Sequence, residues 1–170
     1  MSRCVLAIAL CLLAPTAAGF AQAKISVEGV WRIAEVVTPG GNPRAGGVTI
    51  TTNNPQPGLI IFTQGYYSEV SIQGGQPRPP VPPAKDAQNP TDGEKIALYG
   101  QWRPFTANAG TYEIKGSMLI RRVIVAKNVD VMTREAAILE IKEEGADTLW
   151  LIPTGTRAAI EPRTKWTRLE

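Results

Sequence analysis

Gly58-Leu59-Ile60-Ile61-Phe62-Thr63-Gln64-Gly65-Tyr66-Tyr67-Ser68-Glu69-Val70-Ser71-Ile72 reads as a β-hairpin. Gly58 to Thr63 and Tyr66 to Ile72 are rich in β-branched and aromatic residues, and Gln64-Gly65 is a two-residue turn between them. The same rhythm of short β-type runs between Gly and Pro continues on both sides. Upstream, Gly29 to Val37 ends at Pro39-Gly40-Gly41, and Val48 to Thr52 is a short strand candidate. Downstream, Ala107 to Lys115 and Ser117 to Ala126 flank Gly116. Ala136 to Glu143 and Thr148 to Pro153 flank Glu144-Gly145-Ala146-Asp147, and Thr164 to Leu169 closes the chain. Roughly eight strands at this spacing predict an all-β antiparallel barrel or sandwich.

One segment breaks the rhythm. Gln73 to Gly93 holds Pro77, Pro79, Pro80, Pro82, Pro83 and Pro90. Proline removes backbone donors and fixes φ, so this is an extended surface loop and no central strand. It is either a lid or rim, or a segment with no role. Thr91-Asp92-Gly93-Glu94 then fits a capping box opening the one helix candidate. Ile96, Leu98, Tyr99 and Trp102 form its apolar stripe, and Pro104 stops it at Arg103. A lone helix of this kind covers a barrel opening or packs on its wall.

Residues 1–23 of the 170 read as a secretory signal. Arg3 precedes an apolar stretch from Val5 to Ala14, and Ala21-Gln22-Ala23 is an A-x-A cleavage pattern. The stretch is too short for a membrane helix, which needs about 20 apolar residues. Leu10 before Cys11 argues against a lipoprotein anchor. Removal leaves one domain over residues 24–170, 170 − 23 = 147 residues long, exported to the periplasm or the exterior, with no integral membrane segment. Its net charge is 17 − 15 = +2, because Arg3 leaves the 18 basic residues.

The residue types exclude much chemistry. There is no histidine, and both cysteines, Cys4 and Cys11, lie in the signal. The exported chain therefore has no disulfide, thiol nucleophile, His/Cys zinc site or Ser-His-Asp triad. No metal or cofactor motif is found: neither an Asp-rich calcium loop nor a Gly-rich phosphate loop occurs. No acid pair stands at glycosidase spacing. Scattered basic residues and a charge of +2 do not predict nucleic acid as a partner.

Three places carry candidate chemistry. Alternation puts Trp31, Ile33, Glu35 and Val37 on one face of the first strand, and a large aromatic belongs inside. Glu35 then lines a cavity or sits at the strand end near solvent. On the hairpin the apolar-leaning face is Tyr66, Ser68, Val70 and Ile72; on a later strand it is Tyr112 and Ile114. Inward tyrosines there suit an amphipathic pocket or plain core packing. The third place is Arg121-Arg122, within Met118-Leu119-Ile120-Arg121-Arg122-Val123-Ile124-Val125. Parity sends one arginine inward, where it needs a carboxylate or a ligand anion. Glu35, Glu69 and Glu140 are the candidate protein partners.

Several of these stretches together resemble the bacterial lipocalin-like domain family. Gly29-Val30-Trp31 resembles the Gly-x-Trp opening of lipocalin-type barrels, and Lys165-Trp166-Thr167-Arg168-Leu169 resembles the family's last strand. Gly58 to Tyr66 is similar to its second hairpin, and Ala109 to Gly116 to its Gly-x-Tyr strand. The resemblance implies an eight-stranded up-and-down barrel with a cavity. It also implies that Trp31 packs at the closed end under Arg168. Family members often carry histidines where Arg121-Arg122 stand.

The leading functional expectation is an exported binder of a small, largely apolar or amphipathic molecule inside the barrel. Val37, Tyr66, Val70, Tyr112 and Ile114 supply apolar wall, and Glu35 with Arg121 or Arg122 orients the ligand. The second is an isomerase- or cyclase-type enzyme on the same barrel, with a tyrosine or carboxylate moving a proton beside an arginine. The third is an interaction module with a filled core.

Overall fold

The computed structural model describes residues 25–170, so the signal segment lies outside the described residues. The strands are β1 (Gly29–Thr38), β2 (Ile50–Thr52), β3 (Gly58–Thr63), β4 (Tyr66–Ile72), β5 (Phe105–Lys115), β6 (Met118–Ala126), β7 (Ala137–Glu143), β8 (Thr148–Pro153) and β9 (Arg163–Arg168). Sequence neighbours pair antiparallel from β3 to β9, and β1 pairs with both β3 and β9, which closes the sheet. β2 and β3 lie end to end along the same edge of β1, opposite residues 36–38 and 29–32 respectively. The result is an eight-position antiparallel up-and-down barrel, as the resemblance implies.

Its two ends differ. One end has tight turns, including Gln64-Gly65, where both residues have positive φ. That is the mirror-image turn that matches strand twist, and glycine accepts it without strain. The other end carries the long connections. Among them are α1 (Asp92–Trp102) and a second helical turn, α2 (Val129–Met132). α2 is absent from the sequence expectations, which name one helix, because a single turn is too short to show helical periodicity.

The closed half is packed solid. Val27, Trp31, Ile60, Phe62, Tyr67, Leu119, Leu139, Ile141, Leu149, Leu151 and Trp166 form one buried cluster. Each such large side chain contributes about 1.5–3 kcal/mol on full burial. Trp31 is 2% exposed and donates its indole N–H to the Val27 carbonyl at 2.7 Å. The Arg168 guanidinium lies 4.1 Å from the centre of its ring, as the resemblance implies.

α1 forms with the capping box read from the sequence: Thr91 Oγ1 accepts from the Glu94 amide, and Glu94 accepts from the Thr91 amide. Its expected docking does not occur. Ile96, Leu98, Tyr99 and Trp102 all stay exposed. The helix is held by its end instead. Lys127 Nζ on the β6–β7 connection donates to the carbonyls of Trp102, Arg103 and Phe105. The Pro-rich segment has no regular structure and is tied to the same corner through Arg78, which donates to Gln101 O and lies over the Phe105 ring.

Candidate functional site

Register decides which side chains enter the barrel. Phe62 is buried opposite Tyr67, and Ile60 is buried opposite Glu69. The inward residues of β4 are therefore Tyr67, Glu69 and Ser71. This corrects the expectation for Tyr66 and Val70, which lie on the outer face, 59% and 39% exposed. The two faces of β4 differ little in hydrophobicity, and the inner one holds a charge because a partner awaits it.

Glu35 and Val37 also leave the interior. The β1–β9 register shifts between Ile33 and Glu35, so Ala34 is an extra residue. A bulge of this kind exchanges the faces of everything beyond it. Ile33 stays beside the inward Trp166, but Glu35 is opposite Lys165 on the outer side. Lys165 pairs there with Glu144 at 2.8 Å, and Glu144 also accepts from the Trp150 indole. These two contacts hold the Glu144 carboxyl below its ordinary pKa. Val37 shares the outer side, opposite Thr51 and Arg163, and is buried there.

Tyr112 and Ile114 do point inward, but they pack at the closed end against the core. The Tyr112 ring meets Phe62 edge-on at 5.0 Å. Burial, reinforced by the Glu28 carboxylate, raises its phenol pKa. Of the two arginines, Arg121 faces inward and Arg122 outward, where it is exposed opposite Thr111.

Arg121 builds the polar centre of the barrel. Its Nη1 donates to Glu69 Oε2 at 2.7 Å, and both side chains are 16% exposed. To reach Glu69 on β4 it crosses β5 and passes over the Tyr67 ring, 4.9 Å from the centroid. Gly110 is the β5 residue opposite Tyr67, so no side chain stands between. A Cβ at Gly110 would also lie 1.9 Å from the Arg122 carbonyl, across the β5–β6 bulge. Glycine here thus serves both the bulge and the path of the arginine.

Two atoms of this cluster, Tyr67 Oη and Arg121 Nε, are buried without a hydrogen-bond partner in the protein. Burial raises the Tyr67 pKa more than the Arg121 guanidinium lowers it, with the Glu69 charge adding to the rise. The phenol therefore stays protonated at physiological pH, a donor and a poor base. Buried unpaired donors are uncommon in proteins and mark a place where an acceptor belongs.

Above the cluster the inward positions change character. Ser71, Thr106, Asn108, Val123, Ala126 and Ala137 are small or medium in size, and none is fully buried. They are half-buried, so the loop-end half of the barrel is less tightly filled than its floor. Two recesses are present. One, about 330 Å³, is at the closed end beside Ile25, Val27, Glu28, Tyr112 and Ile114. The other, about 160 Å³, is a groove across β4 to β6 whose lining takes in Val70, Ala107, Ala109 and Val125 from the outer face together with Glu69, Asn108 and Ala126. Among the described residues no cluster of acids suited to a metal ion is present. No described helix is long and apolar enough to cross a membrane.

An antiparallel barrel closed by its first and last strands, floored by Trp31 and open at the loop end, is a lipocalin-like fold. Among solved structures, a lipocalin-like protein from Bacteroides uniformis ATCC 8492 is similar, with a TM-score of 0.44 and 13% sequence identity. The match covers 84% of this chain and 97% of that one. No family model matches the chain, and no curated protein matches it.

Proposed function

We propose that the protein binds a small, largely apolar molecule in the open half of the barrel, with Tyr67, Glu69 and Arg121 as its polar anchor. The observation that carries this reading is the pair of unpartnered donors, Tyr67 Oη and Arg121 Nε, inside an otherwise apolar floor. A buried polar network is tolerable when every member is satisfied, and a ligand acceptor satisfies this one. Pockets that hold small molecules have this composition, mostly apolar with a few placed polar groups. Native mass spectrometry of the protein purified from its own envelope tests the reading. An adduct of small-molecule mass, released on denaturation, is expected. A bare protein mass, together with no binding of apolar probes, would overturn it.

Export is part of the same proposal, supported by the apolar stretch from Val5 to Ala14 and by Ala21-Gln22-Ala23. Sequencing of exported protein is expected to start at Lys24; a start at Met1 would refute it.

The same cluster supports a second reading, an isomerase or cyclase. A neutral phenol beside a guanidinium can donate a proton to, or hold, a developing oxyanion. The high pKa of Tyr67 places it as acid and not as base. This reading requires that a bound molecule leave chemically changed, which mass spectrometry of the released compound detects.

A further inference from the structure

The ion pair inside the barrel restricts the chemistry of what sits on it. Among the described residues, Arg121 is the one cation at an inward strand position above the floor, and Glu69 holds it at 2.7 Å. Arg122 points out, and the other inward positions above the floor on β4 to β7, Ser71, Thr106, Asn108, Val123, Ala126 and Ala137, carry no charge. A ligand carboxylate entering here would find the guanidinium already neutralised and the Glu69 carboxylate beside it. It would lose its hydration with no free counter-charge to replace it, which is costly in a partly dry site. A ligand cation would meet Arg121 in the same way.

What the cluster leaves open is donors. Arginine nitrogens donate only, and the phenol has its O–H free. A carbonyl oxygen has two lone pairs and no charge, so it can take both without disturbing the pair. Both donors are buried. An acceptor that takes them therefore enters beside Arg121 while its Nη1 stays on Glu69. We infer that the ligand class of this site is an uncharged, largely apolar molecule bearing a carbonyl-type acceptor such as a ketone, ester or amide, and not a carboxylate or other anion. The inference rests on the binding reading above.

A matched pair of probes tests it. 2-Acetylnaphthalene and 2-naphthoate share a ring and differ in charge at neutral pH. Calorimetric titration of the full protein is expected to show the ketone binding at least about tenfold more tightly, a difference of about one hydrogen-bonded group. Glu69→Gln frees the guanidinium, so it should raise the affinity for naphthoate and reverse the preference. The double variant Arg121→Met with Glu69→Leu removes both charges without stranding either. It should lose most of the ketone's advantage over 2-ethylnaphthalene, with only the Tyr67 donor left, and it keeps the test open if Glu69→Gln folds poorly. Equal or tighter binding of naphthoate by the parent would overturn the inference. So would an unchanged preference in a folded Glu69→Gln protein, or a double variant whose preference for the ketone over 2-ethylnaphthalene is undiminished. If neither probe binds the parent, the binding reading falls and takes this inference with it. If both bind without preference, binding stands and this inference alone fails.

Discussion

Replacing Trp31 with alanine lowers the stability of the barrel by about 3–5 kcal/mol, the range for emptying a buried large aromatic site. Trp31 is 2% exposed, anchors the Val27 carbonyl and carries the Arg168 guanidinium on its ring. Its loss opens a cavity at the point where β1 and β9 close the sheet. It also frees the segment that plugs the closed end. Against a total of about 5–15 kcal/mol for a domain, that is a large fraction. Urea unfolding of the parent and of Trp31→Ala measures it. A loss below about 1 kcal/mol would mean that the site collapses around the gap and that Trp31 does not hold the closure.

Arg121→Met destabilises by about 3 kcal/mol, the low end for breaking a buried pair, because both side chains keep 16% of their exposure. The cost comes from Glu69, left as a carboxylate with no partner. Adding Glu69→Leu should restore most of it, since an apolar pair of similar volume replaces a buried ion pair at little net change. Arg122→Met, on the exposed outer face, should stay within about 0.5 kcal/mol of the parent. Thermal melts of the four proteins separate these effects. Equal melting of Arg121→Met and Arg122→Met would show that the inner pair has no structural role.

The strands were legible in the sequence because strand runs and turn glycines repeat on a scale that local residues control; their spacing left barrel and sandwich open, and the resemblance pointed to the barrel. Parity within one strand was legible too: one of Arg121 and Arg122 had to turn inward, and Arg121 does, onto Glu69, one of its three candidate partners. The face of each strand was harder. Ala34 bulges out of β1 and carries Glu35 and Val37 to the outer side, and nothing local to those residues announces it. For β4 the signal existed. A two-residue turn at Gln64-Gly65 fixes Phe62 opposite Tyr67, so an inward Phe62 requires an inward Tyr67 and Glu69. Counting apolar residues on β4 alone selects Tyr66 and Val70 instead, because the outer wall of this barrel keeps exposed Leu59, Ile61 and Val70. The stripe on α1 was read correctly as a stripe, but its docking depends on a tertiary partner that periodicity does not encode.

Where an apolar ligand binds can be read residue by residue from backbone and side-chain NMR shifts during titration with 2-acetylnaphthalene. The account predicts that the largest changes fall on Tyr67, Arg121, Val123 and Ala137, inside the open half. Changes centred on Val70, Ala107 and Val125 in the outer groove, or on Val27, Tyr112 and Ile114 at the closed end, would contradict it.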